Sequence, residues 1–230
     1  HWEGKMLRMK QQYFFTSATV QTALKKFKRS YGNDFSRLPE KVVFHINDTH
    51  PGLAIPELLR LLIDQEGLGW DEAVSIAHRC FAYTNHTVMQ EALERWPENM
   101  MKQTLPRIYM LLEEMNRRLC ERLFKAYPDQ WDRIGAMAIL AYGQVQMANL
   151  CVSQSYSVNA VSQLHGKILT DGLFHDYWML DKDKFSAITN GITHRRWLLS
   201  ANPGLSELIE TVIGTGFRGD AQELAKLLPF

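Results

Sequence analysis

Two short apolar runs, Lys41-Val42-Val43-Phe44-His45-Ile46 and Cys80-Phe81-Ala82-Tyr83-Thr84, each break off into a polar segment, and helical patterns follow them. The first run is β-branched and aromatic and is apolar on both alternating faces at its centre. That is the pattern of a strand covered on both sides in a parallel sheet. Repeated strand-then-helix order implies an α/β fold: a partial doubly wound, mainly parallel, Rossmann-like sheet with flanking helices. Loops at the carboxyl ends of such strands lie on the rim of the sheet, free of ladder hydrogen bonds, and can face a ligand crevice. His86, just beyond the second run, is therefore the first site candidate.

The rest of the chain can be placed around these junctions. Met6, Met9, Tyr13, Phe14, Ala18, Val20, Leu24 and Phe27 recur at helical steps, so the first thirty residues read as one amphipathic helix ended by Gly32-Asn33. Asp48 or Thr49 can cap the helix after the first strand, with Pro51 in its first turn. Trp70-Asp71-Glu72 starts another helix. Residues 98–126 form a long helical pattern broken at Pro106, with Arg107, Glu113, Glu114, Arg117 and Arg118 on a solvated face. Val145–Val152 reads as a third strand, and 153–169 as a loop feeding a helix. Phe185–Trp197 reads as a strand broken at Asn190-Gly191, and Leu205–Val212 as a last helix. Gly214-Thr215-Gly216 lacks the Gly-Lys-Ser/Thr of a phosphate loop and is expected to end that helix.

Composition excludes several classes of partner. With 230 residues, 46% of them apolar, the chain can bury a real core. Its 26 basic and 25 acidic residues leave a net charge of +1, no field for nucleic acid or anionic lipid. The most apolar interior stretch, 134–142, falls far short of the roughly 20 residues a membrane span needs, and with no basic stretch followed by an apolar run at its start a signal peptide is not expected. Cys80, Cys120 and Cys151 are odd in number and widely spaced, which disfavours disulfides and zinc knuckles and favours the cytoplasm. The start at His1 suggests excision from something longer.

Five segments carry a family resemblance in order: Leu7 to Phe14, Asn47 to Leu59, Tyr83 to Trp96, Met147 to Cys151, and Thr189 to Trp197 continuing into Asn202-Pro203-Gly204-Leu205. Within them stand Asn47-Asp48-Thr49-His50-Pro51, Asn85-His86-Thr87-Val88-Met89-Gln90-Glu91-Ala92-Leu93-Glu94-Arg95-Trp96 and Thr189-Asn190-Gly191-Ile192-Thr193. Together these resemble the glycogen and starch (α-glucan) phosphorylases along almost the whole chain. Gln90, Tyr156 and His194 depart from the pattern of many members. The resemblance implies an internal fragment, with residues 1–188 the end of the N-terminal catalytic domain and 189–230 the start of the C-terminal, cofactor domain. It further implies a parent enzyme that uses pyridoxal phosphate and inorganic phosphate to release glucose 1-phosphate from α-1,4-glucans, and that is a homodimer. The cofactor lysine and the phosphate-holding residues belong to later sequence, so no cofactor is expected on this chain alone. The chain by itself is expected to be inactive and prone to self-association.

The resemblance also assigns residues. His86 contacts the 6-hydroxyl of the glucosyl unit at the cleavage point, its carbonyl lying near the developing positive charge. Asn190 bonds the 4- and 6-hydroxyls, Val161 is an apolar wall of the sugar site, and Trp197 lies by the cofactor. Asp48, His50, Thr87, Ala92 and Glu94 form a polar pocket beside the anomeric side. Read without the family, His86 is a structural histidine at a strand end, Asn190 a type I′ turn residue, and Val161 and Trp197 core side chains. His45, Asp48, His50 and His86 offer donors for a metal, but no Cys or second carboxylate completes a shell. Glu91 and Glu94, three apart on one helix, share a face and cannot flank a glycosidic bond as an acid/base pair. Two other functions share this architecture or its ligand: a nucleotide-sugar glycosyltransferase with two Rossmann domains, and a non-catalytic glucan-binding module.

Overall fold

The structure, a computed structural model, describes residues 2–230. The chain divides into two compact units, one reaching to Thr189 and the other comprising Asn190–Phe230.

The first unit opens with α1 (Trp2–Tyr31), a single amphipathic helix that buries Met9, Val20, Leu24 and Phe27. It ends at Gly32, whose φ of 74° is the left-handed conformation glycine adopts without steric cost. Next come β1 (Phe44–Asn47), α2 (Ala54–Arg60), α3 (Trp70–His78) and β2 (Phe81–Thr84). β3 (Arg95–Pro97) leads into α4 (Glu98–Thr104) and α5 (Pro106–Ala126), separated at Leu105 where the proline cannot continue the preceding helix. α6 (Trp131–Met137), β4 (Leu140–Ala141), β5 (Gln144–Gln146) and α7 (Met147–Gln154) lead to β6 (Ser157–Ala160), α8 (Gln163–Ile168), α9 (His175–Leu180) and β7 (Phe185–Ala187).

Strands β1, β2, β6 and β7 form a wholly parallel sheet in that order, with Asn47 opposite Thr84 and Thr84 opposite Asn159. Ile46, Phe81, Tyr83, Val158 and Ala160 on these strands are buried. This is the expected parallel α/β sheet with flanking helices. A second, antiparallel sheet pairs β3, β5 and β4.

Several expected elements are replaced by others. Of the expected third strand only Val145 and Gln146 are extended, as the end of β5; Met147–Gln154 is helix and its first seven residues are all buried. A helix enclosed on every side shows no polar face, so its period cannot be told from that of a covered strand. The third strand of the parallel sheet is instead β6, inside the expected loop. The helix after β1 starts at Ala54 without a side-chain cap. Asp48 has a φ of 61° and spends its Oδ1 on the neighbouring amide of Thr49 at 2.5 Å, while Pro51 lies in the preceding turn. Glu91 and Glu94 do not share a helix, because the short helical turn there covers only Gln90–Ala92 and Leu93 is extended.

Charges on α5 follow the solvated-face expectation: Glu114 pairs with Arg117 and Arg118 at 2.6 and 2.7 Å. No helix among the described residues is long and apolar enough to cross a membrane.

The second unit contains α10 (Pro203–Ile213), capped by Asn202 Oδ1, which accepts from Leu205 N at 3.2 Å, and closed by Gly214 with φ 78°. The glycine pair there ends a helix, as expected. Asn190-Gly191 makes no type I′ turn: neither residue has a positive φ, and strand β7 stops at Ala187. A two-residue hairpin needs a following strand to pair with, and 188–193 provides none.

Candidate functional site on the carboxyl rim of the parallel sheet

The carboxyl ends of β1, β2 and β6 lie side by side, and their loops are cross-braced. Asp48 N donates to Thr84 O at 2.9 Å and Asn85 N to Asn159 O at 3.0 Å, so the ladder extends one residue past the strands. Thr84 Oγ1 donates to Asn159 Oδ1 at 2.6 Å and accepts from His45 Nε2. These side-chain bonds hold three strand ends at fixed spacing.

Asn85 is fully buried. Its amide donates to the Tyr83 hydroxyl at 2.9 Å and its Oδ1 accepts from Thr87 N at 2.9 Å, closing a tight turn around the residue between them. That residue is His86, pushed out into solvent. His86 Nε2 lies 2.6 Å from Asn47 Oδ1 at the end of β1. An amide oxygen only accepts, so Nε2 is the donor in this contact. Burial pushes the Tyr83 hydroxyl well above its ordinary range, so it stays a neutral acceptor for Asn85.

A second cluster gathers on Glu94. Its Oε2 accepts from Thr49 Oγ1 at 2.9 Å, its Oε1 accepts from Gln12 Nε2 on α1 at 2.9 Å, and His50 Nδ1 stands 3.6 Å from that same oxygen. The Glu94 carbonyl accepts from Met147 N. Cys151 lies beneath; burial, with the carboxylates of Glu94 and Asp48, pushes its thiol well above its ordinary range. Gly52 fits here because a Cβ would stand 2.9 Å from Thr49 O and 3.0 Å from Cys151 Sγ.

Of the five residues expected in one polar pocket, Asp48, His50 and Glu94 thus meet around Thr49. Among the described residues, neither Thr87 nor Ala92 hydrogen-bonds to Glu94 or His50. Thr87 instead belongs to the His86 turn, and Ala92 is exposed. Val161 immediately follows β6, half-buried, its amide bonded to His165 Nδ1 at 3.2 Å. Asn190 and Trp197 belong to the second unit. There Asn190 is exposed in irregular backbone, and Trp197 is 66% exposed with the Arg196 guanidinium 5.1 Å from its ring centroid.

Reading the sequence missed Asn47, Asn85 and His165. Asn47 and Asn85 each open a motif already singled out but carried no role of their own, and a buried Asn after a strand, as Asn85 is, is a recurrent turn-closing residue. His165 had no such signal, since its partners are 78 and four residues away. Among the described residues, no group of three or more His, Cys, Asp or Glu is placed to hold a metal ion.

Comparison with known proteins agrees along the full length. The family model for carbohydrate phosphorylases matches residues 1–230. The chain is 46% identical over 230 residues to a glycogen phosphorylase of Bacillus subtilis (strain 168), covering all of this chain and 29% of that protein. It is 45% identical over 239 aligned residues to the muscle form of human glycogen phosphorylase, covering 28% of it. The chain therefore spans less than a third of the length of these relatives. With a matching family model over every residue, the chain belongs to the carbohydrate phosphorylase family.

Proposed function

We propose that this chain forms part of the glucosyl cradle of an α-1,4-glucan phosphorylase, which releases glucose 1-phosphate from a glucan and inorganic phosphate. The observation that carries the reading is His86: an exposed imidazole on the carboxyl rim, its backbone pinned by buried Asn85 and its ring held by Asn47. A neutral ring in that position gives one directional hydrogen bond to a sugar hydroxyl without the desolvation cost of a full charge. A preorganised donor gains most where charge and shape change between ground and transition state.

In this reading His86 and Asn190 hold the sugar's hydroxyls and Val161 gives an apolar wall. Asp48, His50 and Glu94 orient water and hydroxyls beside the anomeric side, with Thr87 and Ala92 in the adjoining loop. Residues 1–188 are the end of the N-terminal catalytic domain and 189–230 the start of the C-terminal one. The whole enzyme is a cytoplasmic homodimer using pyridoxal phosphate, whose phosphate supplies proton transfer when bound. The residue of this chain that would lie beside it is Trp197, whose indole is exposed.

Phosphorolysis by the full-length protein containing this chain tests the proposal. Glucose 1-phosphate formed from glycogen and phosphate, with pyridoxal phosphate recovered from the protein, is the expected result. Turnover that demands a nucleoside diphosphate sugar instead would overturn it.

A further inference from the structure

We propose that His165 is a positioning residue, a brace that fixes the distance between the loop carrying His86 and the loop carrying Val161. The inference rests on the reading of His86 given above and adds a residue that no sequence motif marked.

His165 is 4% exposed and stands one turn into the chain's return from β6. Its own amide is held by the N-cap of α8, Ser162 Oγ accepting from His165 N at 3.0 Å. From there the ring reaches two loops at once. Nδ1 lies 3.2 Å from Val161 N, and Nε2 lies 3.2 Å from the carbonyl of Thr87, the residue after His86.

A backbone amide only donates and a carbonyl only accepts, so the two contacts fix the ring as the neutral tautomer with its proton on Nε2. Both loops leave parallel strands that are not sequence neighbours, and β6 pairs with β2. The strand ladder sets the distance between the strand ends but ends at Asn85. Beyond it, His165 is the side chain whose ring nitrogens bond backbone groups of both loops. A ring cannot change length as a flexible chain would.

The test uses the full-length enzyme and compares kcat and KM, per folded protein, for His165→Ala, His165→Asn, His165→Gln, His86→Ala and the double His86→Ala/His165→Ala variant. His165→Ala is expected to lower kcat by about tenfold to a hundredfold, the scale of a sub-ångström to ångström misplacement, with KM changed much less. Gln puts an amide N–H where Nε2 stands and keeps the bond to Thr87 O, so it should recover most of the loss; Asn, which reaches only the Nδ1 position, should recover less. The double variant should lose clearly less than the product of the single losses, because a brace for His86 has little left to position once the imidazole is gone.

Wild-type kcat in His165→Ala beside a large loss in His86→Ala overturns the positioning role alone. So does a fully additive double variant, or a Gln variant no better than Ala. His86→Ala within twofold of wild type overturns the reading of His86, and the brace with it. Imidazole nitrogen NMR of the 230-residue chain adds an independent arm: the Nε2–H tautomer is expected, and a proton on Nδ1 overturns the proposal without reference to activity.

Discussion

His86 Nε2 donates to Asn47 Oδ1 at 2.6 Å across the ends of two adjacent parallel strands. The pair is exposed, so its worth lies in aiming the ring and not in stability. Asn47→Ala in the full-length enzyme is expected to lower kcat/KM by up to about tenfold, the value of one neutral hydrogen bond. Steady-state kinetics check this; a loss larger than that of His86→Ala would place Asn47 itself on the substrate.

His86→Ala and Asn190→Ala should each lower turnover of the full-length enzyme by about one to two decades. On the proposed reading each would remove a bond of about 1–3 kcal/mol that strengthens toward the transition state. A kcat/KM within twofold of wild type for either variant would remove that residue from the cradle.

Glu57 is fully buried and bonded by Tyr13 at 2.8 Å, Ser17 at 2.7 Å and Arg60 at 2.8 Å, tying α1 to α2. Burial alone raises its pKa, but the bonds from Arg60, Ser17 and Tyr13 outweigh it and hold the carboxyl below the ordinary 4.5. A depressed folded pKa gives stability that is complete above the ordinary value and is lost as pH falls through the lowered one. Burial and the bond to Glu57 push the Tyr13 hydroxyl up to about 12 from 10.0. That contribution is complete below pH 10 and fades as pH rises through about 12. Glu57→Gln should cost about 3 kcal/mol, since it leaves a largely buried guanidinium without its charge partner. Chemical denaturation at several pH values checks both: the wild-type advantage over Glu57→Gln should persist at neutral pH and shrink in acid.

Gly52→Ala should destabilise the chain by about 1–3 kcal/mol, the usual cost of overpacking. The new methyl meets a backbone oxygen at 2.9 Å, which cannot rotate away as a side chain could. Thermal unfolding reads the change, and an unchanged Tm would show that the 48–53 loop yields freely.

The 230-residue chain on its own should neither produce glucose 1-phosphate nor bind pyridoxal phosphate at a specific site, as it spans 29% of a homologous enzyme. It should also associate. β1 and β7 are the outer strands of the parallel sheet, and Phe14 and Phe15 are 70% and 69% exposed on α1. Light scattering at micromolar concentration is expected to give a dimer or larger; a clean monomer mass would contradict this.

The sequence by itself determined the parallel α/β class, the long first helix, the break at Pro106 and the two strands that give way to polar segments after Ile46 and Thr84. Each of these is written in local chemistry: an apolar run of fixed length, a 3.6-residue period, a ring without an N–H, a polar segment after a strand. It also marked His86, because a motif occupies consecutive positions. The tertiary structure decided what depended on burial and distance. Met147–Ser153 became helix because enclosure on every side erased the period that distinguishes helix from strand. Asn190-Gly191 made no hairpin because turn propensity acts only when a second strand is there to pair. Glu94 joined Gln12 and Thr49, and His165 joined Thr87 to Val161, through contacts between residues 82, 45 and 78 positions apart. No local pattern encodes such pairs, since a hydrogen bond is set by where the folded backbone brings donor and acceptor and not by their spacing along the chain.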